Sequence, residues 1–232
     1  MDIALLKAPG IEFLLRWGHF LFGITWIGVL YYFNFIQGSW FNETEGQHKS
    51  AAVQKLVPRA LWWFRWGAMG TFLTGLAILA MKGHGGKEIF MTSYGVMILS
   101  GALMGTFMFL NVWLIIWPAQ KVVIASTNQV ADGGQPIPEA AACGAKAGLA
   151  SRTNTLFSIP MLFMMGAASH LPMNVTGATN LSGLAITLGV IIGALELNGI
   201  VGKMGTMKSV SGVITSGFAL TVVLYAVMEC FI

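Results

Sequence analysis

Residues 12–36 read EFLLRWGHFLFGITWIGVLYYFNFI, and the solvent this stretch requires decides the fold. As a helix rising about 1.5 Å per residue it is long enough to cross the ~30 Å hydrocarbon core of a bilayer. Runs of similar character follow at 60–81, 92–117, 153–171, 181–202 and 208–230. The expectation is an all-α, polytopic membrane helix bundle of about six transmembrane helices, with 1–232 forming a single membrane domain.

Composition agrees. Of 232 residues 56% are hydrophobic and 9% charged, and the mean hydropathy is +0.73, whereas a soluble domain carries about 25% charged residues to solvate its surface. The 29 glycines suit helices that approach closely in lipid. A net charge of +4 does not imply nucleic acid, because the cations are spread over several loops. The N-terminal stretch lacks a basic cluster and its apolar run is too long for a signal h-region, so it reads as a retained helix. Cys143 and Cys230 form no CxxC or CxxCH, which signals neither a zinc site nor a covalently attached haem c.

Two connections are sizeable. In 42–58, Ala51, Val53, Leu56 and Val57 fit a short surface helix. In 118–146, the run Asp132-Gly133-Gly134-Gln135-Pro136-Ile137-Pro138 is turn chemistry. Lys49, Lys55, Arg59, Lys121, Lys146, Arg152, Lys203 and Lys208 fall on one side, and Lys7, Lys82 and Lys87 on the other. The positive-inside rule makes the first group cytoplasmic and places both termini outside; in a bacterial inner membrane they would be periplasmic. Trp17, Trp40, Trp62, Trp63, Trp113 and Trp117 lie near span ends and read as interface belts, whereas Trp26 is mid-span.

Ionisable residues within spans carry the functional signal, because each must face protein, cofactor or water. Arg16, His19, Gly23, Trp26, Leu30 and Phe33 follow 3-4-3-4-3 spacing and share one helix face. That stack suits a haem b: an imidazole for the iron, a small neighbour for the flat macrocycle, and a cation one turn away for the propionates. Hydrogen bonding of His19 and Arg16 to a neighbouring helix or to Glu229, or passage of ions or protons, accounts for the same spacing. Among the other histidines, His170 is the preferred second metal ligand, although its place at the end of its span and that of His19 about seven residues inside its own differ in depth. Pro160 would help by bending the helix. Glu196 is a candidate proton relay, or a buried partner of Arg65 or of another helix; Asn111, Asn154 and Asn198 read as amides bridging helices. No phosphate loop, dinucleotide fingerprint, nucleophile elbow or His-Glu-x-x-His helix is present.

Several stretches together carry a family resemblance. Arg16-Trp17-Gly18-His19, Gly23-Ile24-Thr25-Trp26-Ile27-Gly28 and Tyr31-Tyr32-Phe33 resemble the first helix of bacterial membrane-bound urate hydroxylases (PuuD type, the urate oxidase N-terminal family). Trp62-Trp63-Phe64-Arg65-Trp66 with Thr74-Gly75, Asn111-Val112-Trp113 with Ile116-Trp117-Pro118, and Ser151-Arg152-Thr153-Asn154-Thr155 through Pro160 to His170-Leu171-Pro172 are similar to its later blocks. The likeness runs in order over about the first three-quarters of the chain. It implies a membrane redox protein acting on urate, in a family whose members often carry a C-terminal cytochrome c domain. Because this sequence has no such motif, an external c-type cytochrome is the expected electron partner. His19, Trp26, Gly28 and Tyr31-Tyr32 more faintly resemble the first helix of HemJ-type protoporphyrinogen oxidases, which are associated with haem b.

The expected function is a membrane-embedded redox protein with haem b held through His19 and His170, Arg16 pairing a propionate, and electrons passing between a urate-like substrate or a quinol and the cytochrome. The alternatives are a non-catalytic accessory subunit packed against other membrane subunits, and a small-solute transporter lined by Glu196 and Arg65.

Overall fold

A computed structural model describes residues 3–232. Seven α-helices carry the fold, and no strand occurs among the described residues. They are α1 (Ala8–Glu43), α2 (Gly46–Lys55), α3 (Val57–His84), α4 (Ser93–Ala131), α5 (Ala140–His170), α6 (Leu181–Val201) and α7 (Val210–Phe231). The short helix expected within 42–58 is α2.

Five of them, α1, α3, α4, α6 and α7, are long and apolar enough to cross a membrane, which makes this an integral membrane protein. Their outward faces agree: Phe20, Leu114, Ile186, Val190 and Val222 are each more than 60% exposed, as surfaces that meet lipid or another membrane protein are. The sixth expected span, α5, has the length at 31 residues but not the apolarity. Thr153, Asn154, Thr155 and Ser158 are fully buried on it. It packs against α1, α4, α6 and α7, so its neighbours are protein groups that can take its hydrogen bonds, and its polarity does not meet lipid.

Three helices outrun the expected spans by more than one turn. α1 continues to Glu43 and α4 to Ala131, each through one π-helical turn, Tyr32–Gln37 and Asn111–Ile116. Pro118 was expected to stand in a connection; instead the helix runs through it. In a regular α-helix its ring would collide with the carbonyl of Leu114, but Leu114 lies in the π turn, whose wider ring shifts that carbonyl out of α register. α5 begins at Ala140, thirteen residues before the expected start, because its first turns are alanine-rich.

Pairwise contacts give the register. Glu12 meets Lys82, His19 meets Thr74, and Trp26 meets Gly67, so α1 and α3 run antiparallel. A Cβ on Gly67 would lie 3.0 Å from the backbone nitrogen of Trp26 and 3.3 Å from the Phe22 carbonyl, and only glycine allows that approach. Asn111 with Asn154, and Ser93 with the Met173 amide, set α4 and α5 antiparallel. Two of the expected belt tryptophans also pack on a cation: the Arg65 guanidinium lies 3.7 Å from the Trp117 ring centroid and 6.0 Å from that of Trp113. Trp17, Trp40, Trp62 and Trp63 are exposed, as belt residues would be.

Candidate cofactor cavity

Between α1, α3, α4 and α5 lies a cavity of about 670 Å³, inside the range of about 300–1,000 Å³ that small-molecule and cofactor sites occupy. On the α1 wall stand Arg16, His19, Gly23 and Trp26, the four residues that helical spacing had placed on one face. Phe33, further along that face, packs edge-on against Phe64, and Leu30 is buried in the core. α3 contributes Thr71 and Gly75, α4 Tyr94 and Gly105, and α5 Met161, Met165, Gly166 and His170.

His19 and His170 therefore line one cavity. His170 is the last residue of α5, and that helix end borders the same cavity as His19 on α1. The wall is mostly apolar, and at three places it is flat: a Cβ on Gly23, Gly28 or Gly166 would meet nothing within 4 Å. Trp26 is 2% exposed, and its indole N–H has no hydrogen-bond partner.

At the rim Arg16 does not stand alone. Glu12 accepts from its Nη2 at 2.8 Å and its Nε at 3.1 Å, and from Lys82 Nζ at 3.0 Å. One carboxylate shared by two cations leaves these three side chains with a net charge of plus one. Behind the wall, His19 Nδ1 and Thr74 Oγ1 are 3.1 Å apart, and Nε2 makes no hydrogen bond among the described residues.

Glu196 stands elsewhere. It is 6% exposed, accepts from Asn111 Nδ2 at 3.1 Å, and does not line the cavity. Asn111 also donates to Asn154 Oδ1 at 2.9 Å, and Asn154 donates to the Met108 carbonyl at 3.0 Å. These two amides bridge helices as expected. Asn198 does not: it bonds the backbone of Lys203 and holds the turn after α6. The partner of Glu196 is an amide and not Arg65. Seven residues, about 10 Å of helix, separate Asn154 from Met161 at the cavity. His84 and His48 are not part of the cavity wall, and among the described residues no three His, Cys, Asp or Glu side chains converge to hold a bare metal ion.

Residues 84–229 match the model of the urate oxidase N-terminal family, well over half of the chain. The chain belongs to the urate oxidase N-terminal family. The matched stretch includes His170, Glu196, Asn111 and Asn154, and starts after α1, so Arg16, His19, Gly23 and Trp26 lie outside it. No curated protein and no solved structure matches the chain. The family and the membrane-spanning helices are compatible with a membrane redox role.

Sequence reasoning missed Glu12, Gly105 and Gly166. Glu12 carried a usable signal, since an acid four residues before Arg16 is a helical ion-pair spacing. The two glycines carried none, because only the packing of α4 against α5 turns them toward a common space.

Proposed function

We propose that this protein is a membrane-embedded electron-transfer protein whose cavity would take haem b, with His19 and His170 as the residues that would hold it. The observation that carries the reading is a single cavity bounded by two imidazoles, with open space over three glycines. The donor set fits the group. His19 has a nitrogen free of hydrogen bonds, the walls suit an apolar macrocycle, and the rim carries one net positive charge for an ionised carboxylate. When bound, the haem supplies reversible one-electron chemistry.

This chain's own residues would then bind and orient. His19 on α1 and His170 on α5 approach from two helices, so that loading the site ties these helices together. Arg16, which lines the cavity and is positioned by Glu12, would hold the acidic edge of the ligand through charge-assisted hydrogen bonds. Apolar groups of α1, α3 and α4 exclude water and lower the local dielectric, one of the levers on a haem potential. Electrons would pass between a reductant, urate by the family's name or a quinol, and an external c-type cytochrome. Glu196 has no part in this reading, because its carboxylate is held by Asn111 away from the cavity.

The test is the absorption spectrum of the purified protein, oxidised and dithionite-reduced. A Soret band and a sharp α band are expected, lost in His19→Ala and shifted in His170→Ala. A well-folded, colourless protein without haem on mass analysis overturns the proposal.

A further inference from the structure

We infer that Thr74 fixes the tautomer of His19: its hydroxyl holds the ring proton on Nδ1 and leaves Nε2 as the bare nitrogen. The inference deepens the haem reading and rests on it for the identity of the bound group, although the state of the ring can be tested without any ligand.

The argument is a count of hydrogens. Thr74 Oγ1 has one, and it lies 2.6 Å from the Gly70 carbonyl and 3.1 Å from that of Thr71. Carbonyl oxygens only accept, so the hydroxyl hydrogen is committed to the backbone of its own helix, and toward His19 the oxygen can act only as an acceptor. The 3.1 Å contact between Thr74 Oγ1 and His19 Nδ1 is therefore a bond that Nδ1–H donates. A neutral imidazole has one N–H, so Nε2 carries a lone pair.

The chain next to Thr74 allows the ring this position. A Cβ on Gly75 would lie 3.2 Å from His19 Cε1, the carbon between the two ring nitrogens. A side chain there would require the ring to shift by a few tenths of an ångström. Thr74-Gly75 thus acts as one device, an acceptor followed by a gap. Thr74 itself does not line the cavity; it is a positioning residue that acts through His19. A hydrogen bond to the outer N–H also makes an imidazole a stronger donor to iron, which favours the oxidised metal.

The experiment has two arms. In the first, protein labelled with 15N-histidine and produced without haem is examined by NMR at about pH 8, above the usual histidine range, with the His19 signal assigned by its loss in His19→Gln. Wild type should show protonated Nδ1 and bare Nε2, Thr74→Val should lose that preference, and Thr74→Ser should restore it. In the second arm, on haem-loaded protein, Thr74→Val should raise the midpoint potential and Thr74→Ser should return it. A wild-type ring with its proton on Nε2 overturns the inference, as does a Thr74→Val protein unchanged in both tautomer and potential. That latter result leaves the haem reading standing. The expected tautomer in a protein that takes up no haem supports the role of Thr74 and overturns the haem reading instead. If Thr74→Val does not accumulate in membranes, the wild-type NMR spectrum decides.

Discussion

The two polar regions of this bundle differ in whether their groups satisfy one another. Around Asn111, Asn154 and Glu196, the observed hydrogen bonds run from side chain to side chain or to a carbonyl of the same bundle, and none of the three lines the cavity. Around His19, one ring nitrogen is bonded and the other is not, a buried indole N–H has no partner, and about 670 Å³ stands open. Both regions place ionisable residues in apolar helices, and by composition they are equivalent. Burying polar groups is unfavourable unless they are paired. A cluster that closes on itself serves the fold, and one that stops at a cavity wall points to something that binds there.

That contrast can be broken from the open side first. His19→Ala should abolish haem binding while the haem-free protein keeps its thermal unfolding temperature, because among the described residues the ring bonds to Thr74 alone; equal losses of haem and of stability would make His19 a fold residue. Gly23→Leu should come next, with a fall in haem affinity of roughly tenfold or more, equivalent to ~1.4 kcal/mol. Its side chain enters open space, so the haem-free protein should be no less stable, glycine being a poor helix former. Unchanged haem occupancy in Gly23→Leu would mean that this wall does not face the ligand.

The closed side should respond in the opposite sense. Asn154→Leu removes the acceptor for Asn111 and the donor to Met108, and should lower stability by about 1–3 kcal/mol with no change in the haem spectrum. Denaturation in detergent and a spectrum of the same sample separate the two effects. The smallest change is expected for Arg16→Gln. Its ion pair with Glu12 is 39% and 23% exposed on the two side chains, so stability should change by less than about 1 kcal/mol, while a haem held at the rim should dissociate faster. A loss rate equal to wild type would remove Arg16 from the ligand's surroundings.

Much of this was legible because helical periodicity is a local property. Arg16, His19, Gly23 and Trp26 recur at 3-4-3 spacing, and the structure turns all four to the cavity. What periodicity could not supply is the register between helices. Lys82 read as a cation at a loop, but the antiparallel fit of α1 and α3 brings it to Glu12. The depth of His170 was ambiguous for the same reason, since it depends on where α5 ends relative to α1. Pro118 misled in another way: it is a boundary signal in a regular helix, and the π turn before it cancels that signal. α5 shows the limit of hydropathy, because its central polar run Thr153-Asn154-Thr155 marks a helix surrounded by other helices.

The most direct test of the central claim is a titration of haem into haem-free protein, followed by the Soret band and by quenching of tryptophan fluorescence, with Trp26 in the cavity wall. Saturation at one haem per chain in wild type, absent in His19→Ala, is the expected result. Weak, unsaturable binding that is identical in the two proteins would contradict it.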